Sequence, residues 1–103
     1  MRVGILKSLI KHTVGCSDHT ESLLAPSIAL AQGACVIEKH LTIDNDLSRR
    51  DNQHALVGPA FQEMMGFCLQ TEDLLSGKGM SFQNIESHVV ANYRGSWSKE
   101  SAI

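Results

Sequence analysis

Gly15-Cys16-Ser17-Asp18-His19-Thr20 and Ile37-Glu38-Lys39-His40-Leu41-Thr42 decide how this chain folds, because in each a short apolar run breaks into polar residues that reach a histidine. Residues 14–16 and 34–37 are the apolar runs, and each has the length and bounding of a buried strand with its chemistry at the carboxyl end. Between them, residues 23–33 hold good helix formers, with Pro26 near the first turn and Gly33 as the stop. Strand, helix and strand make a βαβ unit. Its crossover sets the strands parallel with their carboxyl ends on one side, about 4.8 Å apart if they are neighbours. Side chains alternate along a strand, so Val36, Glu38 and His40 share one face, and Ser17 and His19 share a parity just past the other run. One face can then present two imidazoles.

Outward from this unit, residues 1–12 place Val3, Ile5, Leu6, Leu9 and Ile10 at spacings of three and four, which predicts a helix with one buried side and with Lys7 and Lys11 facing water. After Ile43, the polar run from Asp44 to Gln53 reads as a long loop. Pro59 opens a helix reaching residue 75, whose apolar stripe is Phe61, Met64, Met65, Cys68, Leu69, Leu74 and Leu75, and Gly77-Lys78-Gly79 ends it. The remainder has weak periodicity, with Tyr93-Arg94-Gly95-Ser96-Trp97 as its most distinctive piece. The expected organisation is one α/β segment over residues 1–79 and a linker over 80–103.

Composition excludes some classes and names none. The 103 residues are 43% hydrophobic and 19% charged, ordinary for one globular unit. A net charge of −2, with basic residues scattered apart from Arg49-Arg50, gives no electrostatic reason to expect nucleic acid. No apolar run approaches the roughly 20 residues needed to span a bilayer, and the amino terminus lacks a signal-peptide core, so the expectation is a cytoplasmic protein with no membrane contact. Cys16, Cys35 and Cys68 are odd in number and widely spaced in apolar surroundings, which fits reduced thiols better than a disulfide framework.

Several side chains carry alternative readings. A histidine taken alone is ordinarily a core or loop imidazole; a pair at neighbouring strand ends suits a borderline divalent metal and leaves coordination positions free. Ser17 either satisfies loop backbone groups or meets a ligand. Asp18 is structural, or orients groups around the histidine that follows it. Glu38 shares a face with His40, where an inward carboxylate must be paired, hydrated or coordinated, and the plain alternative is an ion pair. Lys39 points the other way, toward a salt bridge. Asp51 is a loop carboxylate, His54 reads as a surface or loop-stabilising histidine, and Arg49 and Arg50 as solvated charges. His12 and His88 have no motif around them.

Gly-x-Ser-Asp-His-Thr, an alanine-rich helix, then Gly-Ala-x-Val-Ile-Glu-Lys-His-x-Thr resembles the sialic acid synthase (N-acetylneuraminate synthase) family in order and in spacing. The resemblance implies the last two parallel strands, with flanking helices, of a TIM (β/α)8 barrel. It implies a transferase that condenses phosphoenolpyruvate with an N-acetylated, N-acetylmannosamine-like sugar aldehyde to a sialic-acid-type nonulosonate. By that resemblance His19 and His40 hold a divalent metal, Mn2+ first with Mg2+ or Zn2+ possible, and Ser17 helps hold the phosphate end of phosphoenolpyruvate. Glu38 is a catalytic candidate. Asp51 matches an aspartate that contacts sugar hydroxyls and is a possible proton acceptor.

Departures surround Asp51: Arg49-Arg50 stands for Gly-Pro, Asn52 for histidine and Gln53-His54-Ala55-Leu56 for the rest, so the sugar is not carried over. Cys16 replaces a common tyrosine, and Glu21-Ser22 stands where a glycine is usual. The family's first six strands, with their phosphate-binding lysines, and its carboxyl-terminal antifreeze-like domain lie outside the match. The active form implied is a homodimer. A piece holding two strands of eight is expected to show open edges and uncovered apolar faces and to be inactive alone. The alternative is a non-catalytic barrel remnant that at most binds metal or associates with other barrel pieces. A metal-dependent hydrolase using the same histidines lacks a third ligand motif.

Overall fold

The computed structural model describes residues 2–77, 79–81 and 83–93. Helix α1 (Arg2–Leu9) leads to strand β1 (Gly15–Asp18), helix α2 (Ala25–Ala31) and strand β2 (Val36–Lys39). A two-residue strand β3 (Leu41–Thr42) follows at once, and after the polar loop strand β4 (Leu56–Val57) runs into the long helix α3 (Gly58–Leu75). A 3-10 turn (Asn84–Glu86) and helix α4 (Ser87–Asn92) close the described part.

The expected βαβ unit is present. β1 and β2 pair in parallel, Gly15 opposite Val36, Cys16 opposite Ile37, Ser17 opposite Glu38 and Asp18 opposite Lys39. Both strands lie further along the chain than the apolar runs suggest. Val14 and Ala34 are buried just before the strands, and the Cys35 N–H donates to the Val14 carbonyl at 2.7 Å to start the pairing. Ser17 and Asp18, expected just past the first run, sit inside the ladder instead, opposite Glu38 and Lys39, which alternate along the second strand as expected. That is tolerated because only one face of the sheet is covered: Gly15, Ser17, Val36 and Glu38 are exposed, while Cys16, Asp18, Ile37 and Lys39 turn toward the helices.

α2 begins with Pro26 in its first turn and ends at Gly33, whose φ of 96° lies in the left-handed region; a Cβ there would also meet Lys7 Cγ at 3.2 Å. The chain turns back so that Ala34 N–H donates to the Ala29 carbonyl at 3.0 Å. Val3, Val14, Ala29 and Ala34 form the core, with Cys16 and Ile37 packed against it. On the far side of α2, Pro26 and Ser27 are buried, and so are Met64 and Cys68 of α3. The Ser27 hydroxyl donates to Cys68 Sγ at 3.9 Å.

The expected apolar stripes are only partly covered. Of the α1 stripe Val3 alone is buried, while Ile5, Leu6, Leu9 and Ile10 are exposed. On α3, Met64 and Cys68 are buried, and Met65, Leu69, Leu74 and Leu75 are exposed. The helices form where the periodicity puts them, but among the described residues nothing lies over much of their apolar surface. Val36, on the open face of the sheet, is 63% exposed. Buried parallel sheets are covered on both faces, so an open one leaves surface of the kind that packing ordinarily removes from water.

β3 and β4, which the hydrophobic pattern does not announce, pair in parallel with Leu41 opposite Leu56 and Thr42 opposite Val57. Cys16, Cys35 and Cys68 are free thiols, and Cys35 is exposed rather than set in apolar surroundings. No helix among the described residues is long and apolar enough to cross a membrane. Within the expected linker, the turn at Asn84–Glu86 is closed by a reciprocal cap between Gln83 and Glu86, and α4 buries no residue. Of the distinctive piece beginning at Tyr93, residues 94–97 lie outside the described residues.

Candidate functional site

The register of β1 and β2 carries the two histidines to one place. Asp18 stands opposite Lys39, so the next residue of each chain segment leaves its strand beside the other. The His19 and His40 rings approach edge to face, with centroids 5.2 Å apart and planes at 64°. His40 is half-buried and His19 exposed.

β3 then starts immediately after His40, and its pairing with β4 brings the far end of the polar loop back to the same mouth. The Leu56 N–H donates to the His40 carbonyl at 2.9 Å. His54, in a 3-10 turn (Asn52–His54) two residues earlier, lies with its ring centroid 5.8 Å from that of His19 and the planes at 77°. His54, which the sequence suggests is a surface or loop-stabilising histidine, is half-buried with its ring against that of His19. Nothing in its immediate neighbours announces that position. The usable signal was the apolar Leu56-Val57 closing a long polar loop, which is a strand short enough to escape periodicity.

Under the imidazoles, on the covered face, lies an ion pair. Lys39 Nζ donates to Asp18 Oδ2 at 2.9 Å, with side-chain exposures of 1% and 5%, and it also donates to the Thr20 carbonyl. Asp18 Oδ1 accepts the Thr20 N–H at 3.1 Å. Burial pushes the Asp18 carboxyl up, but the Lys39 ammonium and the Thr20 N–H and hydroxyl outweigh it and hold the group below its ordinary value. Lys39 therefore points away from the imidazole side, as alternation requires. Asp18 is a buried anchor for the turn that carries His19.

The loop is organised by its own polar groups. Thr42 Oγ1 donates to the Asp44 carbonyl at 2.8 Å, Asn52 Nδ2 donates to Asp44 Oδ1 at 3.2 Å and to the Asp46 carbonyl at 2.9 Å, and Arg49 pairs with Asp44 and Asp46 at 3.5 and 3.7 Å. The Ser48 hydroxyl and N–H hold the Asp46 carboxyl below its ordinary value. These contacts shape the backbone that delivers His54; Arg49 is exposed, as expected of a solvated charge, and faces carboxylates of its own loop.

Ser17 and Glu38 stand opposite each other on the open face and are exposed, and neither side chain is hydrogen-bonded or ion-paired among the described residues. Asp51 is exposed at the start of the 3-10 turn, where its carbonyl accepts the His54 N–H at 3.1 Å while its carboxylate stays unbonded among the described residues. The structure thus brings both His40 and His54 against His19 and sets Ser17 and Glu38 on the strand face leading to them. Among the described residues no three His, Cys, Asp or Glu side chains are placed to hold a metal ion together. Two neighbouring imidazoles are of the ligand type that suits a borderline divalent cation. Two clefts, of about 240 and 610 Å3, lie on the helix side; the smaller is lined by Ile37, Lys39, Met64 and Cys68 and neither by the histidines.

The sequence model of the NeuB family matches residues 2–80. The chain belongs to the NeuB family. Similar proteins include an N,N'-diacetyllegionaminic acid synthase of Campylobacter jejuni, 39% identical over 74 residues that cover 72% of this chain and 21% of that protein. A pseudaminic acid synthase of the same species is 39% identical over 70 residues, 68% of this chain and 20% of that one. Among solved structures, N-acetylneuraminic acid synthetase of Leptospira borgpetersenii, crystallised with citrate, superposes with a TM-score of 0.76 at 26% identity, covering 95% of this chain and 34% of that chain. This NeuB-family chain spans about a fifth of the length of the Campylobacter relatives it matches. Its α/β arrangement with parallel strands is shared with a sialic acid synthetase.

Proposed function

We propose that this chain is the metal-holding part of a sugar-acid synthase that condenses phosphoenolpyruvate with an N-acetylated sugar aldehyde, contributing the last two strands of a (β/α)8 barrel. The observation that carries the reading is the approach of His19 and His40 at the carboxyl ends of two parallel neighbours, the end of such barrels where catalytic groups gather. His19 and His40 are the ligands for a divalent cation, Mn2+ first, with Mg2+ and Zn2+ as alternatives. Bound there, the cation supplies Lewis acidity toward the aldehyde oxygen.

The remaining roles belong to side chains of this chain. Ser17, exposed beside the pair, donates its hydroxyl to the phosphate end of phosphoenolpyruvate. Glu38, opposite it, orients water or substrate hydroxyls on the same face. Asp51 accepts a hydrogen bond, and at need a proton, from the sugar. The complete enzyme is read as a cytoplasmic homodimer whose other strands supply further phosphate contacts. The exposed apolar surface of α1, α3 and β2 favours a second point: the 103 residues alone do not catalyse, and taken by themselves they act at most as a metal-binding barrel piece.

The test is to combine the chain with the preceding barrel segment of a Campylobacter relative and measure phosphate release from phosphoenolpyruvate with N-acetylmannosamine and related acceptors. Release that disappears in His19→Ala and His40→Ala supports the reading. No release with any acceptor, in an assembly shown to be folded, contradicts it.

A further inference from the structure

We infer that Lys39 is a positioning residue whose buried ammonium clamps the two strand ends and thereby sets the spacing of the His19 and His40 imidazoles. The inference rests on the proposed pairing of these histidines at one metal site, and goes beyond it by naming what holds them there.

Three contacts carry it. Lys39 Nζ meets Asp18 Oδ2 at 2.9 Å, and it meets the Thr20 carbonyl; Asp18 Oδ1 takes the Thr20 N–H at 3.1 Å. His19 is the one residue between Asp18 and Thr20, so both its neighbours are bound to a single ammonium. His40 is the residue directly after that lysine. One cation therefore ties together the flanks of both imidazoles, from the face opposite to the rings. His19 needs such a tie: it lies past the end of β1, is exposed, and its backbone belongs to no strand or helix.

The chemistry suits the task. A compact ammonium with three rotatable donors serves a carboxylate and a carbonyl at once, where a planar guanidinium favours a two-pronged carboxylate contact. The Lys39 side chain is buried and lines the cleft of about 240 Å3 together with Ile37 and with Met64 and Cys68 of α3. A buried ion pair is weak as a stabiliser, since well-packed apolar residues of similar volume often do as well or better. Its distinct contribution here is direction: an apolar pair fills the same space without holding the Thr20 carbonyl or the Asp18 turn. Groups hydrogen-bonded to ligand histidine rings change metal affinity about 10–100-fold when removed, and the same range is taken for a tie that acts on the backbone flanking the rings.

The experiment compares the 103-residue chain with the double variant Asp18→Leu/Lys39→Met, which fills the buried space, and with Asp18→Asn, which keeps the size and removes the charge. Strand amide shifts report folding. Nuclear Overhauser contacts between the His19 and His40 ring protons report spacing without metal, and Zn2+ and Mn2+ titrations report binding. The expected result is that both variants keep the β1–β2 amide shifts, the double variant loses the ring contacts, and its affinity for Zn2+ falls by about 10–100-fold, with Asp18→Asn in between. Ring contacts and affinity unchanged in folded variants would overturn the clamp, and so would loss of the strand shifts in both variants, which would make the pair a fold-holding contact. A wild-type chain that shows the ring contacts but binds neither cation contradicts the metal reading, and the clamp is then decided on the ring contacts.

Discussion

The two faces of the β1–β2 sheet are built to opposite standards. On the helix side Cys16 and Ile37 pack on the core, Asp18 and Lys39 neutralise each other, and no buried side-chain polar atom among the described residues lacks a partner. On the other side Ser17, Val36 and Glu38 are exposed and unbonded, leading to His19 and His40. The same four-residue strands, alternating, supply both. One face holds the unit together; the other carries groups left available for a ligand, which is how a site is kept reactive on a rigid support.

That contrast can be broken by mutation. Lys39→Ala leaves the Asp18 carboxylate buried without its cation and is expected to cost about 3–5 kcal/mol, read as a drop in the urea midpoint; a loss under 1 kcal/mol would mean that the covered face is open to water. Met64→Ala removes the most buried large side chain of α3 and should cost about 2–5 kcal/mol by the same measurement. Glu38→Gln and Val36→Thr, on the open face, should each stay within about 0.5 kcal/mol in this chain, and a larger loss would show that the face is covered.

Acid acts on the covered face through Asp18. The Asp18 carboxyl sits below its ordinary value in the fold, so the unfolded chain binds its proton first as pH falls. The stability it contributes is fully present above the ordinary carboxylate pKa of about 3.9, and is lost as pH drops through the lower folded value. Urea midpoints should therefore decline below about pH 4, and Asp18→Asn should remove part of that decline. Last comes His54→Ala, which removes an edge-to-face ring contact with His19. It should weaken Zn2+ binding only about two- to tenfold, as a ring contact of about 0.5–1.5 kcal/mol implies, and His54→Phe should restore it; a failure of phenylalanine to do so would give the His54 nitrogens a direct role.

The sequence makes the βαβ unit legible because its signals are local: an apolar run, a proline-started helix, a glycine stop and a second run. The parallel pairing and the meeting of His19 with His40 follow from those signals and from chain handedness. Two things do not follow. The first strand runs on through Ser17-Asp18, since which polar residues stay in a ladder depends on which face is covered, and that is a tertiary fact. His54 reaches the site through a two-residue ladder, β3 with β4, too short for any period to register. Conversely, the stripes on α1 and α3 predict helices correctly and burial poorly, because an amphipathic pattern states which side is apolar and says nothing of what covers it.

Whether two strand ends bring His19 and His40 into one metal-holding pair is decided by titrating Mn2+ and Zn2+ into the purified chain in a calorimeter, with circular dichroism confirming its fold. The expected result is saturable binding that disappears in His19→Ala and equally in His40→Ala. Binding that survives both substitutions, or no binding by a chain shown to be folded, would contradict it.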